Sequence, residues 1–295
     1  MREAVSKTRR LSPTGNNILV QGPTGVGKEL FATFIHAHSN RRSGVFLPIN
    51  CSSIPEHLFE SELFGFRKGA FTGASDSYDG RFVQAHQGTL FFDEVGEFPI
   101  QLQAKLLRVL DSRKIYQLGS KQPVPVDVRI VAATNKDLWE EVQKGRFRKD
   151  LYFRLNEALI TIPPLAQRVD DILPLTHHFI DVFNEKYQKN INRLTPDAEE
   201  LLKNHPWEGN VRELKNVLKC IYALKDNNTI NAQELCAMLR PQQPHINGFQ
   251  SLEDHQLSYI KTVLSAYSYN IKKAAAVLKI SRSRLYRKLG KIRDS

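Results

Sequence analysis

The spacing of apolar residues changes in character along this chain of 295 residues. In the first half, short apolar runs alternate with amphipathic stretches such as 102–110. The runs are typical of buried strands, and they lie at 17–21, 45–49, 89–92 and 128–133. Strands that alternate with helices predict an α/β fold with a parallel sheet. We assign residues 1–164 to this α/β subdomain.

After residue 164 the pattern becomes wholly helical. The amphipathic stretches are 171–186, 195–204 and 209–224. Thr195-Pro196 supplies a helix cap followed by a proline at the first helical position. We therefore expect residues 165–240 to form a helical lid on the sheet subdomain. Residues 241–250 are rich in proline and amides and predict a linker, and 251–295 predict a small all-α domain.

Composition is ordinary for a soluble globular protein, with 41% hydrophobic and 25% charged residues. No apolar stretch approaches the roughly 20 residues that span a bilayer, so we expect a cytoplasmic protein with no membrane partner. Cys51, Cys220 and Cys236 fit no metal-binding spacing, which favours reduced thiols over a disulfide or zinc site.

The net charge of +11 is concentrated at the C-terminus. Residues 271–295 contain nine lysines and arginines against one acid, a net charge of +8. A charged tail is often a solvated face. Here the charges are interleaved with apolar residues, so a folded basic surface and a nucleic-acid partner are predicted.

A phosphate-binding loop is predicted at Gly22-Pro23-Thr24-Gly25-Val26-Gly27-Lys28, between an apolar strand and a helix. Backbone amides of such a loop cradle phosphates, and Lys28 reaches the β and γ oxygens of ATP. A chance match of glycines and lysine is the alternative, which the strand-loop-helix context disfavours. The usual motif continues with a Ser or Thr that binds Mg²⁺, whereas this chain has Glu29.

Two acids end the third apolar run. Asp93 is a candidate ligand of Mg²⁺ at the carboxyl edge of the sheet, and Glu94 beside it can orient and deprotonate an attacking water. A strand that only exits into solvent tolerates the same pair. The phosphate loop upstream favours catalysis.

A glycine-framed hexapeptide lies between these two motifs: Gly69-Ala70-Phe71-Thr72-Gly73-Ala74. The glycines predict a turn that displays one aromatic ring and one hydroxyl. By itself the segment could equally be a plain connection between helices.

A helix-turn-helix is predicted at the C-terminus, with Ser281 capping a helix over 282–291 whose Leu285 and Leu289 point inward. In the major groove such a helix brings several side chains to bases or phosphates, and the candidates are Lys272, Ser281, Arg282, Ser283, Arg284, Arg287 and Lys288. A three-helix bundle that binds protein is the alternative; the charge favours DNA.

Taken in order, these motifs resemble the bacterial enhancer-binding proteins, the AAA+ ATPases that activate the sigma-54 RNA polymerase holoenzyme and carry a Fis-type helix-turn-helix domain. The resemblance covers about residues 1–289. It implies ATP and Mg²⁺ as ligands, a double-stranded DNA enhancer as partner and assembly into a ring, expected to be a hexamer. It also implies that residues 69–74 contact sigma-54.

The resemblance assigns further roles. Asn50 matches the residue that restrains the catalytic glutamate, and Asn135 the sensor of the γ-phosphate. Arg148 and Arg154 match arginine fingers that enter a neighbouring subunit, although ordinary surface ion pairs remain the alternative. Arg212 matches the lid sensor of nucleotide; without the family it is one charge on an amphipathic helix.

The chain departs from the family at the hinge before the lid, where Ala166 and Gln167 replace an arginine and a carboxylate, so coupling or assembly is expected to differ there. Only about 20 residues precede the phosphate loop, which we interpret as a lack of the usual sensory domain. Two other functions stay open: a DNA-binding regulator with an impaired ATPase, and an AAA+ remodeller of another protein.

Overall fold

The computed structural model describes residues 1–191, 193–224 and 228–239, together with Lys273, Ala275, Val277, Leu278, Ile280 and Leu285. The chain divides into two compact units, Met1–Leu239 and Arg240–Ser295.

A five-stranded parallel sheet is the centre of the first unit and confirms the predicted α/β fold. Its strands are β1 (Ile18–Gln21), β2 (Phe46–Asn50), β3 (Thr89–Asp93), β6 (Arg129–Thr134) and β7 (Ala158–Thr161), in the spatial order β2-β3-β6-β1-β7. The four predicted strands are all present, with ends that differ by at most one residue. β7, which pairs with β1, was not predicted.

Helices and short strand pairs complete the unit. The helices are α1 (Arg2–Leu11), α2 (Lys28–Ala37), α3 (Glu56–Phe64), α4 (Arg81–Gln84), α5 (Ile100–Ser112), α6 (Leu138–Gln143), α7 (Lys149–Leu155), α8 (Ile172–Tyr187), α9 (Pro196–Asn204), α10 (Asn210–Leu224) and α11 (Ala232–Met238). Two further strand pairs are the antiparallel β4 (Lys114–Tyr116) with β5 (Pro123–Pro125), and the parallel β8 (Arg193–Leu194) with β9 (Thr229–Ile230).

Both faces of the sheet are buried, because alternate residues of each strand point to opposite sides. On one side Ile18 and Val20 pack with apolar residues of α1 and α2. On the other side Leu19 and Ile130 join a larger core that includes residues of α3, α5 and α7. The strands are therefore fixed in register, and their carboxyl ends form one edge.

The lid has a core of its own. α8 to α11 bury a third apolar cluster around Trp207 and Tyr222, both nearly inaccessible to solvent. Thr195 caps α9 by accepting a hydrogen bond from the backbone N–H of Ala198, as its sequence predicts. The helical lid is thus a separate layer of the first unit.

Most of the second unit lies outside the described residues, including the predicted linker and all seven candidate DNA-binding side chains. Of its described residues, Leu285 is fully buried, in agreement with its predicted inward position. Across the described part of the chain, we find no helix with the length and apolar character needed to cross a membrane.

Candidate functional site

The predicted phosphate loop connects the end of β1 to the start of α2, as its sequence indicates. Gly25 and Gly27 have φ angles of +80° and +103°, a region that favours glycine. Gly25 is also closely packed, since a Cβ there would lie 2.3 Å from the carbonyl oxygen of Gly209 in the lid. The loop is a tight turn at the N-terminus of a helix, an arrangement suited to binding an anion.

Lys28 is the first residue of α2 and is buried. Its Nζ donates hydrogen bonds to the carbonyl oxygens of Gly22 (2.9 Å) and Pro23 (3.2 Å). Burial lowers the pKa of Lys28, while Asp93 and Glu94 nearby act to raise it. A negatively charged group in the loop would therefore stabilise the ammonium form.

Asp93 and Glu94 lie where β3 ends, at the carboxyl edge of the sheet. Burial raises the pKa of Asp93, and the Lys28 ammonium opposes that shift. An oxygen of Asp93 accepts a hydrogen bond from the backbone N–H of Glu94 at 3.1 Å. Glu94 has a φ of +54°, an uncommon conformation for a residue with a side chain. Such local strain is concentrated at functional sites, which makes Glu94 a stronger candidate than its sequence alone indicated.

Asn50 lies opposite Asp93 in the parallel pairing of β2 with β3. Its Oδ1 accepts hydrogen bonds from the backbone N–H of Ser52 at 2.9 Å and from the Ser52 hydroxyl at 2.8 Å. Ser52 holds the acceptor Oδ1, and this fixes the orientation of the donor Nδ2, which is the atom of Asn50 that can bind a carboxylate. The structure thus places Asn50 beside Asp93 at the carboxyl edge of the sheet, which we call the acidic edge. Ser52 holds the side-chain oxygen of Asn50 there.

Asn135 follows β6 and contacts the phosphate loop directly. Its Nδ2 donates to the hydroxyl of Thr24 at 3.1 Å. The backbone N–H of Gly22 also donates to Thr134, the last residue of β6, at 3.1 Å. The loop is therefore joined to the predicted sensor by one hydrogen bond and to the last residue of β6 by a second.

The lid reaches the phosphate loop through the start of α10. The backbone N–H of Arg212 donates to Gly25 at 3.3 Å, and Arg212 is close enough to Lys28 to act on its pKa. Asn210, a buried residue with a φ of +54°, donates from Nδ2 to the carbonyl of Thr24 at 3.0 Å. Its Oδ1 accepts from the backbone N–H of Leu165 at 2.8 Å. Asn210 thus bridges hinge and loop.

Arg168 is a second residue that contacts the phosphate loop and was not predicted from the sequence to do so. It is buried at the hinge, and its Nη2 donates to the carbonyl of Val26 at 3.2 Å. Burial lowers its pKa, and an oxygen of Asp171 lies 3.8 Å from Nη1. Arg168 remains at the hinge although Ala166 and Gln167 have replaced charged residues beside it.

Arg148 directly precedes α7 and Arg154 lies on it. The hydrogen bonds described for the two arginines go to residues outside the phosphate loop and outside the pair Asp93 and Glu94. Arg148 forms a forked ion pair with Asp150, at 2.7 Å and 3.0 Å. Arg154 lies 3.2 Å from Asp111 and 3.0 Å from Glu157. Both arginines are partly exposed. Within the single chain they therefore form surface ion pairs, which was the alternative to the role of arginine fingers.

Residues 69–74 form the predicted turn in the connection between β2 and β3. The backbone N–H of Gly69 donates to Ala74 at 2.9 Å, and the N–H of Ala74 donates to Phe71 at 3.1 Å. Thr72 is exposed, whereas Phe71 is 47% exposed and packs edge-on against Phe66, with ring centroids 5.0 Å apart. The ring and the hydroxyl are thus both accessible.

The base of this turn is joined to a second loop. The N–H of Arg67 donates to Leu118 at 3.0 Å, and the N–H of Leu118 donates to Gly65 at 2.9 Å. Leu118 lies between β4 and β5, a hairpin that was not predicted. Backbone hydrogen bonds thus join the base of the turn at 69–74 to the loop between β4 and β5.

Comparison with known proteins agrees with this fold. Family models match residues 1–161 as a sigma-54 interaction domain, 166–251 as an AAA+ ATPase lid domain and 251–291 as a bacterial regulatory protein of the Fis family. The transcriptional activator RocR of Bacillus subtilis is 39% identical over all of this chain and 67% of its own length. The nitrogen fixation protein AnfA of Azotobacter vinelandii is 40% identical over 97% of this chain and 54% of its own length.

Solved structures of NtrX from Brucella abortus match with a TM-score of 0.74 and 32% identity, over 99% of this chain and 67% of NtrX. One of them is a complex with ATP. The chain spans between about half and two thirds of the length of these relatives.

A parallel sheet with a phosphate loop, an acidic edge and a helical lid defines an AAA+ ATPase-type domain. The chain belongs to the family of sigma-54-dependent transcriptional regulators, with a C-terminal Fis-type helix-turn-helix domain.

Proposed function

We propose that this protein binds and hydrolyses ATP, and that turnover drives residues 69–74 against sigma-54 to open a promoter. The observation that carries the proposal is the meeting of Lys28, Asp93 and Glu94 at one sheet edge beneath the lid. The ATP complex of the related NtrX supports nucleotide as the ligand. A binding module alone has no need of the strained, acidic edge opposite the lysine.

The roles of the residues follow from their positions. The loop 22–27 would cradle the phosphates, and Lys28 would neutralise the β and γ oxygens. Glu94 would orient the attacking water and accept its proton. Asn135 and Arg212, which both contact the loop, would report the state of the γ-phosphate to the sheet and to the lid.

The acidic edge also fits Mg²⁺. Burial raises the pKa of Asp93, so a cation beside this carboxylate would favour its ionised form. Among the described residues, no group of three or more histidines, cysteines or acids is arranged to hold a metal ion. Binding through one carboxylate with water and phosphate oxygens is a usual arrangement for Mg²⁺. When bound, the ion would neutralise charge on the phosphates.

Two arginines supplied by a neighbouring subunit complete this proposal. Arg148 and Arg154 make their described contacts away from their own phosphate loop, which is compatible with use in a second copy. An arginine finger contributes about 10³ to 10⁵ in rate. The active form would then be a ring, which we propose to be a hexamer, held at enhancer DNA by the candidate side chains within 272–288.

Mixing two inactive variants tests this function. Arg148→Ala with Arg154→Ala removes the fingers, and Glu94→Gln removes the base. Each protein alone should be inactive, and the mixture should recover part of the ATPase activity because each subunit supplies what its neighbour lacks. Subunit exchange is verified with a labelled wild-type chain. No recovery under verified exchange would contradict shared sites, and an inactive wild type would contradict hydrolysis itself.

A further inference from the structure

The lid reaches the phosphate loop from the turn between α9 and α10, residues 205–209, which we call the lid turn. Trp207, within the lid turn, has a φ of +47°, and Asn210, directly after it, has a φ of +54°. Such angles are uncommon for residues other than glycine, and this kind of strain is concentrated at functional sites. The lid turn therefore depends on contacts that hold it in place.

His205 makes one of these contacts. It is 8% exposed, and its Nδ1 lies 3.1 Å from the backbone nitrogen of Trp207. Because a backbone N–H only donates, Nδ1 of His205 accepts this hydrogen bond and carries no proton. The two rings also pack edge-on, with centroids 4.6 Å apart. His205 thus fixes Trp207 both by a hydrogen-bond acceptor and by a ring contact.

Hydrogen bonds continue from Trp207 to the phosphate loop. The backbone N–H of Asn210 donates to the carbonyl of Trp207 at 2.8 Å. The side-chain Nδ2 of Asn210 donates to the carbonyl of Thr24 at 3.0 Å. Gly209, at the end of the lid turn, lies so close to the loop that a Cβ at Gly25 would be 2.3 Å from its carbonyl oxygen. A displacement of the lid turn would consequently change the contacts of the phosphate loop.

Charged groups of two elements act on the imidazole of His205. Burial lowers the pKa of His205 below its ordinary value of 6.5, although Glu213 on α10 and Glu208 in the lid turn act to raise it. Glu213 is itself held, since its Oε2 accepts a hydrogen bond from the backbone N–H of Gly209 at 2.8 Å. The neutral ring that accepts from Trp207 is therefore the form present near pH 7. A protonated ring would turn an N–H toward the N–H of Trp207, and this hydrogen bond would be lost.

We propose that His205 is a positioning residue for ATP binding, which holds the lid turn so that Asn210 and Arg212 contact the phosphate loop. The inference rests on the proposed function, because it takes ATP as the ligand of that loop. The hydrogen bonds described for His205 go to lid residues, so its effect on ATP passes through the lid turn. Lys28 and Glu94 lie outside the lid. Loss of the acceptor should therefore weaken ATP binding and leave hydrolysis at saturating ATP nearly unchanged.

Two substitutions separate the acceptor from the rest of the side chain. His205→Asn keeps an acceptor that does not titrate, because its Oδ1 is as many bonds from the backbone as Nδ1 of histidine. His205→Leu is apolar and has no acceptor. At pH 7.5, His205→Leu should raise the Kd for ATP about fivefold, the size expected from one lost hydrogen bond, and His205→Asn should stay within about twofold of the wild type. Calorimetry measures the Kd, and kcat at saturating ATP should change less than about twofold in both variants.

The dependence of ATP binding on pH is a second measurement. As the pH falls from 8 to 5, the wild type should lose affinity for ATP more steeply than His205→Asn, because only the wild type loses its acceptor by protonation. Protonation of ATP itself affects both proteins equally, so the ratio of their Kd values isolates the histidine. A ratio that stays constant over this range would overturn the role of the unprotonated Nδ1.

Leu235→Ala is the matched control for the stability of the lid, since it removes a fully buried side chain on α11. It should lower the Tm at least as much as His205→Leu, while the Kd for ATP and its pH dependence stay those of the wild type. Thermal unfolding measures the Tm of each variant and verifies that it folds. An equal loss of ATP affinity in Leu235→Ala would assign the effect to lid stability and overturn the positioning role.

The remaining outcomes are distinguishable. A wild type that binds no ATP at any pH would contradict the proposed function. A wild type that binds ATP, with an unchanged Kd in His205→Leu, would overturn the positioning role alone. Equal weakening in His205→Asn and His205→Leu would show that the whole ring is needed rather than its acceptor, and would also overturn the inference.

Discussion

Gly25 in the phosphate loop and Gly69 in the projecting turn have almost the same backbone angle, with φ of +80° and +81°. Their surroundings differ. A side chain at Gly25 would meet the Gly209 carbonyl at 2.3 Å, whereas one at Gly69 would meet no atom within 4 Å. The phosphate loop is therefore locked against the lid. The projecting turn is held by its own hydrogen bonds and its base, which leaves its tip free to bind a partner.

Electrostatics divide the two regions in the same way. In the phosphate site, burial raises the pKa of Asp93 and lowers that of Lys28, so both charged forms are disfavoured without ligand. The segment 69–74 contains no titratable side chain. The phosphate site is thus suited to binding charged groups, and the turn at 69–74 is suited to contact with a partner. The following predictions test the two roles separately.

Glu94→Gln should lower ATP hydrolysis at least 100-fold, since a positioned base contributes about 10² to 10⁴ in rate. Nucleotide binding should be kept, because Lys28 and the loop are unchanged. Turnover and the Kd for ATP are measured on the same preparation. Glu60→Gln, an acid on α3 that pairs with Lys105, is the control and should hydrolyse ATP normally. Substantial turnover by Glu94→Gln would remove the assignment of the base.

Thr72→Ala should reduce promoter opening at least tenfold while ATPase activity stays within about twofold of the wild type, because the hydroxyl lies at the tip of the turn and not in the phosphate site. Promoter opening is measured with sigma-54 RNA polymerase on a DNA template. Ser75→Ala, which removes an exposed hydroxyl bound to Asp76 just outside the hexapeptide, should open the promoter normally. Normal opening by Thr72→Ala would contradict the contact with sigma-54.

Gly25→Ala should destabilise the protein by about 3 kcal/mol and Gly69→Ala by about 1 kcal/mol. Both variants place a side chain at positive φ, but only the first drives a Cβ into the lid backbone. Chemical unfolding of the two proteins measures the difference. Equal losses would show that the lid yields freely at Gly209, and the loop would then not be locked.

Asp93→Asn should stabilise the ligand-free protein slightly near pH 7, with a rise in Tm on the order of 2 °C. Because burial raises its folded pKa, Asp93 favours folding below its unfolded pKa, and that contribution is lost as the pH rises through the folded pKa. The advantage of Asp93→Asn should thus shrink as the pH falls toward the ordinary carboxyl value of 3.8. Thermal unfolding from pH 4 to pH 8 checks this. If the stability advantage of Asp93→Asn grew as the pH fell, a raised pKa of Asp93 in the folded protein would be contradicted.

Much of the fold was predictable, because the central strands are continuous apolar runs buried on both faces. β7 was missed although Ala158–Thr161 is as long as β1 and has as many apolar residues. The hairpin of β4 and β5 was missed because prolines begin and end its second strand. The phosphate loop and Asp93 could be predicted because each is recognised from a few consecutive residues. Asn210 and Arg168 were not recognised as site residues, since their contacts reach the loop backbone from 186 and 142 positions away.

The bridge made by Asn210 also bears on how the sequence tolerates change. Its side chain binds the backbone carbonyl of Thr24 and the backbone N–H of Leu165, so both partners are present whatever amino acids occupy those positions, proline at 165 excepted. Substitutions around the hinge, such as Ala166 and Gln167, leave this link intact. Random mutagenesis should accordingly accept many residues at the exposed positions 166 and 167 and very few at 210. Asn210 thus adds to the contacts of Arg168 and Arg212 with the loop a side-chain link whose partners are backbone groups, so it persists when the exposed residues beside it change.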